Sequence, residues 1–91
     1  MKNTNRPWYV YIVRCKDQTL YTGITNDLER RIKEHNLGGK KGAKYTSPRR
    51  PVTLVYQEEF NSRSTACKRE YYIKQLRIGK KKELIEYRHL E

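Results

Sequence analysis

A chain of 91 residues with 21 Lys+Arg against 10 Asp+Glu carries a formal net charge of +11, which leaves room for one small basic domain and points to a polyanionic partner, nucleic acid first. It has no apolar run of the roughly 18 residues that a membrane span needs. Its two cysteines, Cys15 and Cys67, are too few for a disulfide scaffold or a clustered zinc site, so they read as reduced thiols of a cytoplasmic protein. Eight Tyr, one Trp and one Phe argue against disorder in spite of the charge.

Residues 8–14 (WYVYIVR) and 19–25 (TLYTGIT) are aromatic and β-branched runs separated by the polar turn Lys16-Asp17-Gln18, the pattern of a β-hairpin. Arg14 and Lys16 end the first run early, so it reads as a strand rather than as the core of a signal peptide. Tyr9 and Tyr11 alternate onto one face, and Tyr21 falls close to Tyr11 across the turn. Gly23 inside the second strand marks a bulge or a close approach by another group.

Asn26 stands where a helix cap belongs, with Glu29 three residues on, and the helix DLERRIKEHN runs to Gly38-Gly39. Its apolar stripe of Leu28 and Ile32 also contains Arg31 and His35, polar groups on the face turned to the sheet. Residues 38–50 hold Lys40, Lys41, Lys44, Arg49 and Arg50 with no acid, a basic loop long for so small a domain. Pro51 leads into a third strand over 52–60, whose poor alternation predicts a position between other strands or under cover on both faces. Asn61 or Ser62 starts a long helix that Gly79 ends, and a short amphipathic helix follows. In the long helix Glu70 lies on the inner face between Ala66 and Ile73. A carboxylate there is costly unless it is paired, for instance with Arg31, or binds a cation. The fold expected is α+β, in the order β-β-α-β-α-α: a three-stranded antiparallel sheet packed with helices, one domain over 1–91 with its core at about 8–78.

Two tyrosines, an arginine, a histidine and a glutamate then converge between a hairpin and two helices. In a phosphodiester-cleaving site Glu70 would hold one divalent cation, Arg31 would neutralise charge on the transition state, and Tyr11, Tyr21 or His35 would take the proton of the attacking water.

These residues carry a resemblance. Tyr9-Val10-Tyr11, Tyr21-Thr22-Gly23, Arg31 eight residues further on, the helix LERRIKEHN and the later KREYYIKQL with its Glu70 resemble the motifs of the GIY-YIG nuclease superfamily. The stretch HNLGGKKGAKYTSPRRPVTLVY is similar to the small stand-alone bacterial members, and to the catalytic subunit of the eukaryotic endonuclease that cuts branched DNA. The resemblance implies hydrolysis of DNA with a single Mg or Mn ion on Glu70 and catalytic roles for Tyr11, Tyr21 and Arg31. It also implies a sandwich around a three-stranded sheet, and a partner that supplies selectivity. The chain departs from the family pattern with Tyr9-Val10 for Gly-Ile, with Thr22 for an apolar residue, and with Ile24 where some members carry Lys.

Three functions stand at this point. The first is a metal-dependent endonuclease of branched or repair-related DNA. The second is a nucleic-acid-binding module without catalysis, for which the charge and the 40–50 loop suffice. The third is a small ribosome-associated protein.

Overall fold

The computed structural model describes residues 6–90, without the side chains of 88–90. The first run forms strand β1 (Trp8–Arg14), paired antiparallel with β2 (Leu20–Thr25). The turn is held by Asp17, whose carboxylate accepts from the Thr19 N–H (3.1 Å) and hydroxyl (2.6 Å), while Gln18 takes a positive φ of 73°. Strand β3 (Thr53–Phe60) joins β1 on its other side, so the sheet order is β2-β1-β3, all antiparallel.

The third strand is therefore an edge strand, where its patterning predicts a covered position. The irregular pattern comes from a shift of register instead: Ile12 faces Tyr56 but Val13 faces Leu54, which leaves Val55 as an extra residue and resets the alternation. The central strand is β1, and Val10, Tyr11, Ile12 and Val13 are all buried because both sheet faces are covered.

Helix α1 (Leu28–Leu37) is capped one residue later than its sequence suggests. Asp27, not Asn26, accepts from the Arg30 N–H (3.1 Å), because the Thr25 hydroxyl takes the Asp27 N–H (3.0 Å) and turns the chain there. Gly38, at φ 73°, closes the helix with its N–H on the Glu34 carbonyl. Helix α2 (Arg63–Lys74) is capped by Ser62 and ends at Gln75. Helix α3 (Ile78–Leu90) then begins before Gly79, so Gly79 sits inside a helix and does not stop one.

The sheet separates two cores. On one face Val10 and Ile12 pack with Tyr56, Ala66, Ile73 and Ile85 under α2 and α3. On the other Tyr11, Val13, Cys15 and Val52 pack with Leu28 and Ile32 of α1. Each fully buried aliphatic side chain contributes about 1.5–3 kcal/mol. Helix α2 is fastened to the β3 edge by Arg69, which donates twice to Glu58 (2.9 Å each), and Tyr56 donates to the same carboxylate. Cys15 and Cys67 are unpaired thiols.

Candidate active site

The site grows from the α1 face of the hairpin. Tyr11 faces Gly23 across the strands, and Tyr21 faces Val13, so the two tyrosines are diagonal neighbours rather than a direct pair. Gly23 has a close-approach role: a Cβ there would lie 2.6 Å from the Tyr11 hydroxyl oxygen and 2.8 Å from Cζ. Its missing side chain lets the Tyr11 ring lie across the edge strand.

Helix α1 meets that ring with His35, which is fully buried. Its Nε2 is 2.8 Å from the Tyr11 hydroxyl and its Nδ1 is 2.8 Å from the Thr46 hydroxyl. Tyr21 packs edge-on against the same imidazole at 5.4 Å and stacks on Tyr45 at 6.0 Å. Burial pushes Tyr11 up to about 12, against the lowering effect of the adjacent Arg31 guanidinium, with Tyr21 and Glu70 raising it further. Burial, with Arg31 nearby, pulls His35 down to about 4. Both groups are neutral at pH 7.

Arg31 donates to Glu34 (2.9 Å) and to the Lys41 carbonyl (2.6 Å), and its guanidinium lies beside the Tyr11 hydroxyl. Of the alternatives open for Glu70, a pairing with Arg31 does not form: Arg31 takes Glu34 on its own helix, and Glu70 pairs with Lys74, one turn along α2, at 3.2 Å. Tyr11, Tyr21, Arg31 and His35 thus form one contacting cluster. Glu70 comes from a helix that packs on the opposite face, yet it is near enough to act on the Tyr11 charge. Tyr9 is half-buried on the Tyr11 face, opposite Thr25 and Glu59.

The basic loop divides. Lys40, Lys41 and Lys44 are exposed or partly exposed. Arg49 and Arg50 also make contacts within the fold. Arg49 covers the Tyr45 ring at 3.9 Å, pairs with Asp17 at 3.0 Å and donates to the Tyr45 carbonyl. Arg50 donates to the carbonyls of Ser47 and Leu37. Sequence reasoning misses Thr46, Glu34 and Tyr45. A Thr in a polar loop carries no periodicity that would announce its burial, and Glu34 looks like any solvated helix charge.

Among the described residues no group of three or more His, Cys, Asp or Glu could hold a metal ion. A lone carboxylate such as Glu70 does not make a zinc site. It fits a hard, hydrated Mg or Mn ion, which keeps several waters and shares its remaining positions with substrate phosphate oxygens. No helix among the described residues is long and apolar enough to cross a membrane.

Residues 7–83 match the family model described as the GIY-YIG catalytic domain. The chain is 58% identical over 84 residues to a UPF0213 protein of Desulfotalea psychrophila, covering 91% of this chain and 76% of that protein. It is 59% identical over 80 residues to one of Staphylococcus haemolyticus, covering 88% and 95%. The solution NMR structure of a UPF0213 protein from Bacillus halodurans superposes with a TM-score of 0.58 at 46% identity, over 89% of this chain and 84% of that one. A protein from E. faecalis superposes with a TM-score of 0.65 at 41% identity, over 100% and 94%. Nuclease activity, nucleic acid as substrate and use of a divalent metal ion are what the matched domain suggests. The match spans both hairpin strands and the helices that carry Arg31, His35 and Glu70, and the chain belongs to the GIY-YIG family.

Proposed function

We propose that this protein is a metal-dependent endonuclease that hydrolyses phosphodiester bonds of DNA, in branched or repair-related DNA, in the cytoplasm and with selectivity lent by a partner. The observation that carries this reading is the buried Tyr11–His35 contact at the helix that also bears Arg31. Binding to phosphates does not by itself require a buried Tyr–His pair next to a guanidinium.

Tyr11 holds its proton on Oη at 2.8 Å from His35 Nε2. Burial keeps that proton in place, so Tyr11 and His35 orient the site, and the half-buried Tyr21, edge-on against the same imidazole, is the tyrosine that can accept the proton of an attacking water. Arg31, beside the Tyr11 oxygen, offsets negative charge developing on the phosphate. Tyr21 holds the imidazole ring edge-on and limits its tilt. Glu70 would hold the Mg or Mn ion, which when bound polarises the phosphate and stabilises the leaving oxygen. Lys40, Lys41 and Lys44 supply phosphate contacts outside the cleavage point.

Plasmid and branched-junction substrates incubated with Mg or Mn test this. Glu70→Ala is expected to lower cleavage more than about 100-fold with an unchanged melting temperature. Cleavage by that variant at the wild-type rate overturns the mechanism. Tight DNA binding by the wild type with no product under either metal favours the non-catalytic binding module.

A further inference from the structure

The hydrogen bonds around His35 form a chain whose direction is set at its ends. At one end the Thr46 hydroxyl lies 3.3 Å from the Ala43 carbonyl, which can only accept. Thr46 donates there, so its oxygen is left to accept from the His35 Nδ1–H at 2.8 Å. A neutral imidazole carries one N–H, so Nε2 is then bare and accepts from the Tyr11 hydroxyl. At the other end Arg31, which has donors only, lies beside the Tyr11 oxygen, and this again leaves the Tyr11 proton for His35. In the opposite tautomer Thr46 would turn its proton to Nδ1 and leave the carbonyl, and Tyr11 would accept from the Nε2–H with its own proton unplaced. Tyr11, His35 and Thr46 are all at most 1% exposed, so water cannot supply the missing partner.

We propose that Thr46 is a positioning residue: its hydroxyl fixes His35 as the Nδ1–H tautomer and so makes Nε2 the acceptor for the Tyr11 proton. The consequence for catalysis rests on the nuclease reading above; the tautomer does not. The same loop places the Lys41 carbonyl on Arg31. One segment, residues 41–46, therefore orients both Arg31 and His35 of α1, and Lys41 and Lys44, which would meet phosphate, are part of it.

The test compares Thr46→Val, which keeps shape and loses the hydroxyl, with Thr46→Ser, which keeps the hydroxyl. Thr46→Ala serves in place of Val if the latter does not fold. Nitrogen-15 NMR of the imidazoles at pH 7 reads the tautomer directly. Wild type and Thr46→Ser are expected to show His35 protonated on Nδ1, and Thr46→Val to show a mixture or the Nε2–H form. In Mn-dependent cleavage Thr46→Val is expected to lose about 10- to 100-fold in kcat with KM within about twofold, and Thr46→Ser to recover most of the loss. An unchanged His35 tautomer in the Val and Ala variants overturns the assignment. A changed tautomer with wild-type kcat overturns its catalytic meaning. A wild-type protein that cuts nothing refutes the nuclease reading, while the NMR comparison still decides what Thr46 does.

Discussion

Two neutral side chains in contact, each shifted away from charge by burial, define the site at the scale of single residues. His35 is held at about 4 in the folded chain against an ordinary value near 6.5. The unfolded chain therefore binds a proton over this window that the folded chain refuses. The stability that His35 contributes is fully present above pH 6.5 and is lost as pH falls towards 4. The urea midpoint is expected to decline between about pH 7 and 4.5, and the decline to be shallower in His35→Gln. Identical slopes for the two proteins would contradict the buried neutral imidazole. Asp17, Asp27 and Glu34 are held below the ordinary carboxylate range by their hydrogen bonds, from Thr19, Arg30 and Arg31 respectively, so their losses come at lower pH. Of the site residues, Tyr11, Arg31, His35 and Glu70 are legible as chemistry in the sequence because each is a polar type on a stripe or strand that otherwise reads apolar. Thr46 is not, since nothing in its neighbours distinguishes a buried hydroxyl from a solvated one.

Among the elements, local punctuation is legible where one residue decides it and less so where two compete. Gly38 ends α1 and Ser62 starts α2, as their types require. Asn26 and Asp27 are both good caps, and the choice goes to Asp27 through the Thr25 hydroxyl, a contact that spacing alone does not rank. Gly79 reads as a stop in the sequence, but the turn between α2 and α3 falls at residues 75–77, and Gly79 is helical with open space where a Cβ would stand. Gly79→Ala is accordingly expected to raise stability by about 0.5 kcal/mol, chiefly by restricting the unfolded chain. Chemical denaturation measures it, and a drop in stability would mean that this glycine is needed for the turn. The edge position of β3 is hidden for a similar reason: the extra residue Val55 scrambles an alternation that is otherwise that of an edge strand.

The charge of +11 is distributed by the tertiary structure over the whole molecule, and not all of it is available to a substrate. Arg49 and Arg50 hold the loop to the body, whereas the side chains of Lys40, Lys41 and Lys44 reach solvent. Replacing these lysines by Glu is expected to weaken DNA binding and reduce the slope of log K against log salt by about 2–3, since each duplex phosphate that a lysine neutralises adds about 0.9 to it. An unchanged slope would move the DNA surface elsewhere. Arg49 and Arg50 are poor choices for the same experiment, because their removal also releases Asp17, Tyr45 and the Leu37 carbonyl.

From its sequence alone this protein is determined to be a small basic α+β domain with a tyrosine-bearing hairpin, an Arg–His helix face and one inward carboxylate, because residue type and period follow from local chemistry. Only the tertiary structure decides who pairs with whom. Tyr11 and His35 are 24 positions apart, His35 and Thr46 11 apart, and Arg31 takes Glu34 and the Lys41 carbonyl rather than Glu70. Those choices depend on how a pleated strand, a docked helix and a folded loop meet in space. A hydrogen bond formed within about 3 Å is sensitive to that meeting and insensitive to the sequence between its ends.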